Sequence, residues 1–171
     1  MRRGKTRTLG ATIMRFGLTV TCAFISGFLA YLPCIAADSE PAALQMVKKL
    51  RLGDNLAPMG LQAATRTVTY QVIVKTVGTD KGRALVTQEL DKVRPKYQGQ
   101  WDKNLAASYA PLFTADELLS IAEKQRQSPH INKFLSKQNE VGAAMQSRST
   151  QLLTQYVTEG MTAAYSKVAP K

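Results

Sequence analysis

Two helix-start signals stand close together in the stretch Tyr109 to Leu135, YAPLFTADELLSIAEKQRQSPHINKFL, and they constrain the fold more than any other feature of the chain. Thr114 accepts amide hydrogens at the start of a helix, and Glu117, three residues on, reaches back to the amide of Thr114, which makes a capping box. Leu118, Leu119 and Ala122 then share one side at helical spacing. Ser128 followed by Pro129 repeats the signal: a hydroxyl cap, then a proline whose missing N–H is harmless at the first helical position. A short helix must therefore end before Ser128, and a long final helix is expected after it. Ile131, Phe134, Leu135, Val141, Met145, Leu152, Tyr156 and Ala163 keep an apolar stripe almost to the terminus. Interior Gly142 and Gly160 each weaken a helix by about 1 kcal/mol relative to alanine, so a kink or break is expected near one of them.

Upstream, Asp38 or Ser39 reads as the cap of a helix beginning near Pro41. Leu44, Val47 and Leu50 form its stripe, and Gly53 stops it. A second segment starts at Asp54-Asn55. Its later part, residues 67 to 77 (TVTYQVIVKTV), alternates like a strand, but Leu61, Ala64, Val68 and Val72 also fit a helical stripe. No partner strand is visible elsewhere, and an isolated strand leaves its amides unpaired. The expectation is a buried helix. After the Gly78 turn, a short helix runs from Lys81 to about Val93. Arg94-Pro95 ends it, because the residue before proline is pushed out of the helical region. Tyr97-Gln98-Gly99 then reads as a loop, and Trp101 to Leu112 as a further helix. Trp101, the only tryptophan, is expected in the core.

The N-terminal residues have the order of a secretory signal. Arg2, Arg3, Lys5, Arg7 and Arg15 precede an uncharged run, residues 16 to 32, and Pro33 is followed by the small-residue site around Ala36. Cleavage after Ala36 or Ala37 makes Ala37 or Asp38 the new start. Met14 offers a shorter leader. Neither cysteine has the small preceding residue of a lipoprotein signal, and Gly4-Lys5 does not suit a twin-arginine signal. The apolar run reaches the lower limit of about 17 residues for a spanning helix, so an uncleaved inner-membrane anchor is the alternative.

This leader also explains much of the charge. Five of the 23 basic residues lie in it, which leaves 18 against 12 acidic ones, a charge of +6 in place of +11 for the whole chain. Such a balance suits solubility and carries no nucleic-acid signature. Both cysteines, Cys22 and Cys34, fall in the leader, so residues 38–171 contain no disulfide, thiolate metal site or cysteine nucleophile and must rely on a hydrophobic core.

Chemistry is sparse. His130 is the only histidine, too little for a metal site of converging His, Cys, Asp or Glu, and no phosphate-binding glycine loop appears. No catalytic, cofactor-binding or metal-ligating residue is assigned. Asp116, Glu117, Glu123 and Glu140 have capping or helix-surface explanations, but carboxylate pairs can lie far apart in sequence, so a carboxylate-dependent hydrolase of envelope polymer stays open. Lys92, Arg94 and Lys96, with Tyr97 and Trp101 after them, form a candidate patch for an anionic glycan or lipid headgroup; a solvated helix end is the plainer explanation.

The run Tyr109…Phe113-Thr114-Ala115-Asp116-Glu117-Leu118, followed by Ser128-Pro129 and a long helix, resembles an exported bacterial domain-of-unknown-function family (number twenty fifty-nine). That family shows an aromatic, then F-T-x-x-E-L, an aromatic-containing helix and a Ser-Pro-x-Gly break. Lys124-Gln125-Arg126-Gln127 stands where the family often has Phe-Tyr, and Ile131 where a glycine is common. The match covers about residues 105 to 160. It implies an all-helical, secreted or periplasmic domain without established activity, and no catalytic residue carries over.

These readings converge on an all-α, compact bundle of about five to six helices after a signal peptide (residues 1–37), with residues 38–171 as a single domain. The expected protein is a periplasmic, non-enzymatic envelope-binding module of a Gram-negative bacterium, with an envelope component or protein as partner. No cofactor is expected, and membrane contact only through an uncleaved leader.

Overall fold

The computed structural model describes residues 35–170, which form α1 (Ile35–Lys49), α2 (Leu56–Ala64), α3 (Val68–Val77), α4 (Thr79–Tyr109), α5 (Ala115–Lys124), α6 (Ile131–Ser136) and α7 (Gln138–Ser166). Short 3-10 turns fill Leu52–Asn55, Ala110–Leu112 and Gln125–Gln127, and no strand occurs among the described residues. The all-α bundle is as expected, with seven α-helices among the described residues where five to six were anticipated. The signal-peptide reading lies outside the described residues, apart from the stretch around Ala36, Ala37 and Asp38, whose backbone belongs to the start of α1.

α4 and α7 form the central antiparallel pair. Asn104 bonds Ser149, Tyr97 lies against Tyr156, and Leu90 against Gly160, so residue numbers fall on one helix as they rise on the other. A Cβ at Gly160 would come within 2.6 Å of Leu90 Cδ2 and 3.3 Å of the Leu90 backbone, so this glycine lets the two helices approach closely. α1 packs against α4 and α5, while α2 and α3 cover α4 and touch α7. The core formed between them includes Met46, Val47, Leu56, Ile73, Trp101, Phe113, Leu118, Ile121 and Tyr156.

α4 corrects the sequence reading most. In place of two helices and a loop, one helix of 31 residues runs from Thr79 to Tyr109 with Pro95 inside it. Proline in a helix interior costs about 3 kcal/mol through a lost hydrogen bond and a clash with the preceding turn. Here Leu90, Tyr97, Trp101 and Leu105 are buried on both sides of Pro95, and each large apolar side chain so buried contributes about 1.5–3 kcal/mol. Packing outweighs the local penalty.

Residues 67–77 do form a helix. Thr67 caps it, accepting from the Tyr70 amide at 3.1 Å, and Gly78 at φ 88° closes it. It is not the buried helix expected: only Tyr70 and Ile73 are buried, and Val68 at 81% and Val72 at 41% are exposed, which removes both from the expected Leu61–Val72 stripe. The reason is the turn between Ala64 and Thr67, which re-phases α3 relative to α2.

α1 starts before the expected cap, and Pro41 lies inside it. Only one early backbone bond is lost to Pro41, while Ala42, Ala43, Met46 and Val47 are buried on the inner face. Its end is formed by Arg51 at φ 54°, not by Gly53. Gly53 serves close approach: a Cβ there would collide with Asp102, and its carbonyl accepts from Gln98 Nε2 at 2.8 Å.

The capping box is present as read. Glu117 N–H donates to Thr114 Oγ1 at 3.3 Å, and the Thr114 amide donates to Glu117 Oε2 at 2.9 Å. Ser128-Pro129, however, opens the six-residue α6, and the long helix begins only at Gln138. Gln138 Nε2 donates to the Phe134 carbonyl at 2.8 Å, competing for an acceptor that the helix ladder would use. α7 then runs unbroken through Gly142 and Gly160, near one of which a kink or break was expected. Thr114→Ala is expected to lower the unfolding free energy by about 0.5–2 kcal/mol, measurable by urea titration, with the bundle still folded.

Candidate functional site

A groove of about 840 Å³ lies among α7, the C-terminal half of α4 and α2. Trp101, Leu105 and Tyr109 of α4 line it, and α7 supplies two adjacent rows. One row is Val141, Met145, Ser149, Leu153 and Val157; the other is Gly142, Gln146, Thr150, Thr154 and Thr158. A spacing of four drifts by about 40° per step on an α-helix, so each row winds gradually around α7. Gln138 of α7, Met59 and Ala63 of α2, Leu52 and Asn55 of the preceding 3-10 turn, and Thr67 complete the lining. No Asp, Glu, Lys, Arg or His is among these residues.

Most polar groups in the groove are engaged within the protein. Trp101 Nε1 donates to Asn55 Oδ1 at 2.8 Å, and Tyr109 OH to Gln138 Oε1 at 3.3 Å. Ser149 Oγ accepts from Asn104 Nδ2 at 3.0 Å and donates to Met145 Sδ at 3.3 Å. Thr150 and Thr154 donate to the carbonyls of Gln146 and Thr150, at 2.6 and 2.8 Å. Thr67 donates to the Ala64 carbonyl at 2.7 Å. Burial pushes the Tyr109 phenol up, with the Gln138 hydrogen bond opposing in part, so it stays protonated. What the groove offers a ligand is apolar area and shape, at a volume typical of small-molecule sites.

The sequence-assigned candidates lie elsewhere. On the continuous α4, successive residues turn by about 100°, which puts Lys92 and Lys96 on one side and Arg94 nearly opposite. Lys92 pairs with Glu89 at 2.7 Å, Arg94 with Asp91 at 3.9 Å, and Lys96 with Glu159 at 2.6 Å. The surface depression beside Lys92 also carries Asp80, Arg83 and Asp91, a mixed charge. The three cations were grouped on the assumption of a loop, and the helix disperses them.

The acids are likewise separated. Glu123 pairs with Lys49 and Glu140 with Lys137. Glu117 accepts from Lys133 at 2.6 Å, with His130 Nδ1 at 3.8 Å. Burial alone would raise the Glu117 carboxyl, but the bonds from Lys133 and the Thr114 amide and the nearby Lys133 and His130 charges hold it below the usual range. A group so held serves as a cap and ion-pair partner, not as a general acid near neutral pH. Tyr156 is pushed up to about 12, by burial first and the Asp91 charge second, so it stays a neutral phenol. Among the described residues, no group of three or more His, Cys, Asp or Glu is placed to hold a metal ion.

The chain matches no protein-family model, no curated protein and no solved structure. No helix among the described residues is long and apolar enough to cross a membrane.

Proposed function

We propose that this protein is an exported, non-enzymatic binding module of a Gram-negative envelope, a periplasmic all-helical domain that holds an uncharged apolar partner in the α2/α4/α7 groove. The observation that supports this most is the groove lining: no charged side chain, and most polar groups engaged inside the protein. Export is supported by the basic-apolar-small order of residues 1–37. The F-T-A-D-E-L and Ser-Pro motifs add the resemblance to the exported family of unknown activity.

The test is a titration with N-phenyl-1-naphthylamine, a neutral apolar fluorophore. Gly142 lines the groove, and a Cβ there meets no atom within 4 Å. Gly142→Phe should therefore place a ring at one end of the groove with the helix intact, and weaken probe binding by at least about tenfold, equivalent to about 1.4 kcal/mol. Gly142→Ala should still bind and should be more stable by about 0.5–1 kcal/mol, because alanine replaces a mid-helix glycine. Equal binding by wild type and Gly142→Phe would sink the groove as the binding site.

A further inference from the structure

We infer that α6 is a hinged flap that lifts independently of the bundle and frees Tyr109, the ring that walls one end of the groove. The step from flap to gate rests on the binding reading above; the flap itself does not.

The six residues of α6 are lightly held. None of them is buried, and Leu135 is exposed. Their main backbone neighbours are the elements next to them in the chain, α7 and the turn Gln125–Gln127. A non-helical point stands on each side. Ser128 is buried and extended, with its hydroxyl 3.0 Å from that of Ser120 and accepting from the His130 amide at 3.3 Å. Lys137, at φ −90° and ψ 0°, parts α6 from α7. Such points absorb the backbone change when a short element swings. Elements with few buried contacts open at far lower free energy than a core, and lids are drawn from them.

Two side chains hold the flap down. Phe134 stacks on Tyr109, with ring centroids 5.4 Å apart and planes 7° from parallel, and meets Phe113 at 6.3 Å. Lys133 donates to Glu117 Oε2 at 2.6 Å and lies 4.9 Å from the centre of the Phe113 ring. A third tie, from Gln138 Nε2 to the Phe134 carbonyl, sits at the hinge. Tyr109 belongs to both structures: it carries the Phe134 stack, and it lines the groove, where its hydroxyl donates to Gln138. Without the stack, that 3.3 Å hydrogen bond and the tilted contact with Phe113 remain to orient the ring. Lifting α6 therefore loosens the Tyr109–Gln138 end of the groove.

Native-state hydrogen exchange decides the flap. The amides of Phe134 and Lys137 donate to the His130 and Lys133 carbonyls at 3.0 and 3.1 Å. A helix this short does not keep such bonds once unlatched, so their exchange reports each opening. Their protection is expected to be at least about tenfold lower than that of core amides in α4 and α7. Their rates should stay nearly flat in low urea while those of α4 and α7 climb, because lifting exposes far less surface than unfolding. Lys133→Met keeps the apolar stem, removes the ionic latch and should raise the open fraction by about two- to fivefold. N-phenyl-1-naphthylamine should then bind and leave faster by that same factor, at unchanged affinity, because the closed groove is the same in both proteins. Phe134 and Lys137 amides with the protection and urea slope of α4 and α7 would overturn the flap. Faster exchange in Lys133→Met with unchanged probe kinetics would overturn the gate. Failure of the probe to bind would overturn the binding reading, while the urea series, which needs only wild-type protein, still decides the flap.

Discussion

Trp101→Ala should lower the unfolding free energy by about 3–5 kcal/mol, the range for removing a buried large aromatic. Trp101 is 1% exposed, in the C-terminal half of α4 beyond Pro95. Its loss also removes the indole N–H bond to Asn55 Oδ1 at 2.8 Å, which water can replace because Asn55 is exposed. A domain of this size holds about 5–15 kcal/mol in total, so the variant should be folded only marginally. Trp101→Phe keeps most of the apolar volume and should fall between. Chemical denaturation followed by far-UV circular dichroism measures both. A loss below 1 kcal/mol for Trp101→Ala would mean that α4 does not carry this residue into the core, as if the chain did break at Pro95.

Glu89→Gln should cost about 1.5–3 kcal/mol near neutral pH, the worth of hydrogen bonds to a charged group, and should flatten the acid limb of stability. Glu89 is a buried carboxylate on α4 that accepts from Lys92 at 2.7 Å and from Lys167, just beyond α7, at 2.5 Å. The hydrogen bonds from Lys167 first and Lys92 second hold its carboxyl below the ordinary range, against the upward push of burial. Because the folded value lies below the unfolded one, the stabilisation is complete above the unfolded titration and is lost as pH falls through the folded value. Wild type and Glu89→Gln should therefore converge in acid and diverge toward neutrality. Glu117 and Glu159 are also held low, Glu117 by Lys133 and its cap against burial, Glu159 by Lys96 first and Tyr97 second. They leave a residual acid slope in the variant. A pH profile of the variant parallel to wild type would remove Glu89 as the clamp between α4 and the C-terminal end of the chain.

Local signals in this chain were legible where the chemistry is local. The Thr114–Glu117 capping box, the Gly78 end of α3 and the core place of Trp101 each rest on residue types acting within a turn or on large apolar area; the break at Ala64–Thr67 that splits the expected single segment into α2 and α3 was not read. Signals failed where tertiary packing overrides them. Arg94-Pro95 is a sound helix stop in isolation, yet Leu90, Tyr97 and Trp101 are buried by α7 and its neighbours, and α4 passes through. Gly160 read as a weak point because its packing against Leu90 is invisible in one dimension.

The candidate site was not legible at all. Ser149, Thr150, Thr154 and Thr158 look like an ordinary polar face of a final helix. Only the fold shows that Thr150 and Thr154 hydroxyls turn back onto their own helix and that Trp101, Leu105 and Tyr109 face that side. The basic cluster at Lys92–Lys96 drew notice in the sequence for the opposite reason. Charges are conspicuous in a sequence; Glu89 lies one turn before Lys92 on the same helix, while Glu159, the partner of Lys96, becomes evident only once α4 and α7 are placed side by side.

The measurement that bears most directly on the account is the native mass of the protein recovered from fractionated cells of its host, for wild type and Gly142→Phe. An exported apolar-ligand binder predicts a periplasmic species beginning at Ala37 or Asp38, carrying a non-covalent adduct that denaturation releases and that Gly142→Phe lacks. A full-length chain in the inner membrane, with no adduct or with the same adduct on Gly142→Phe, would contradict both the export and the groove.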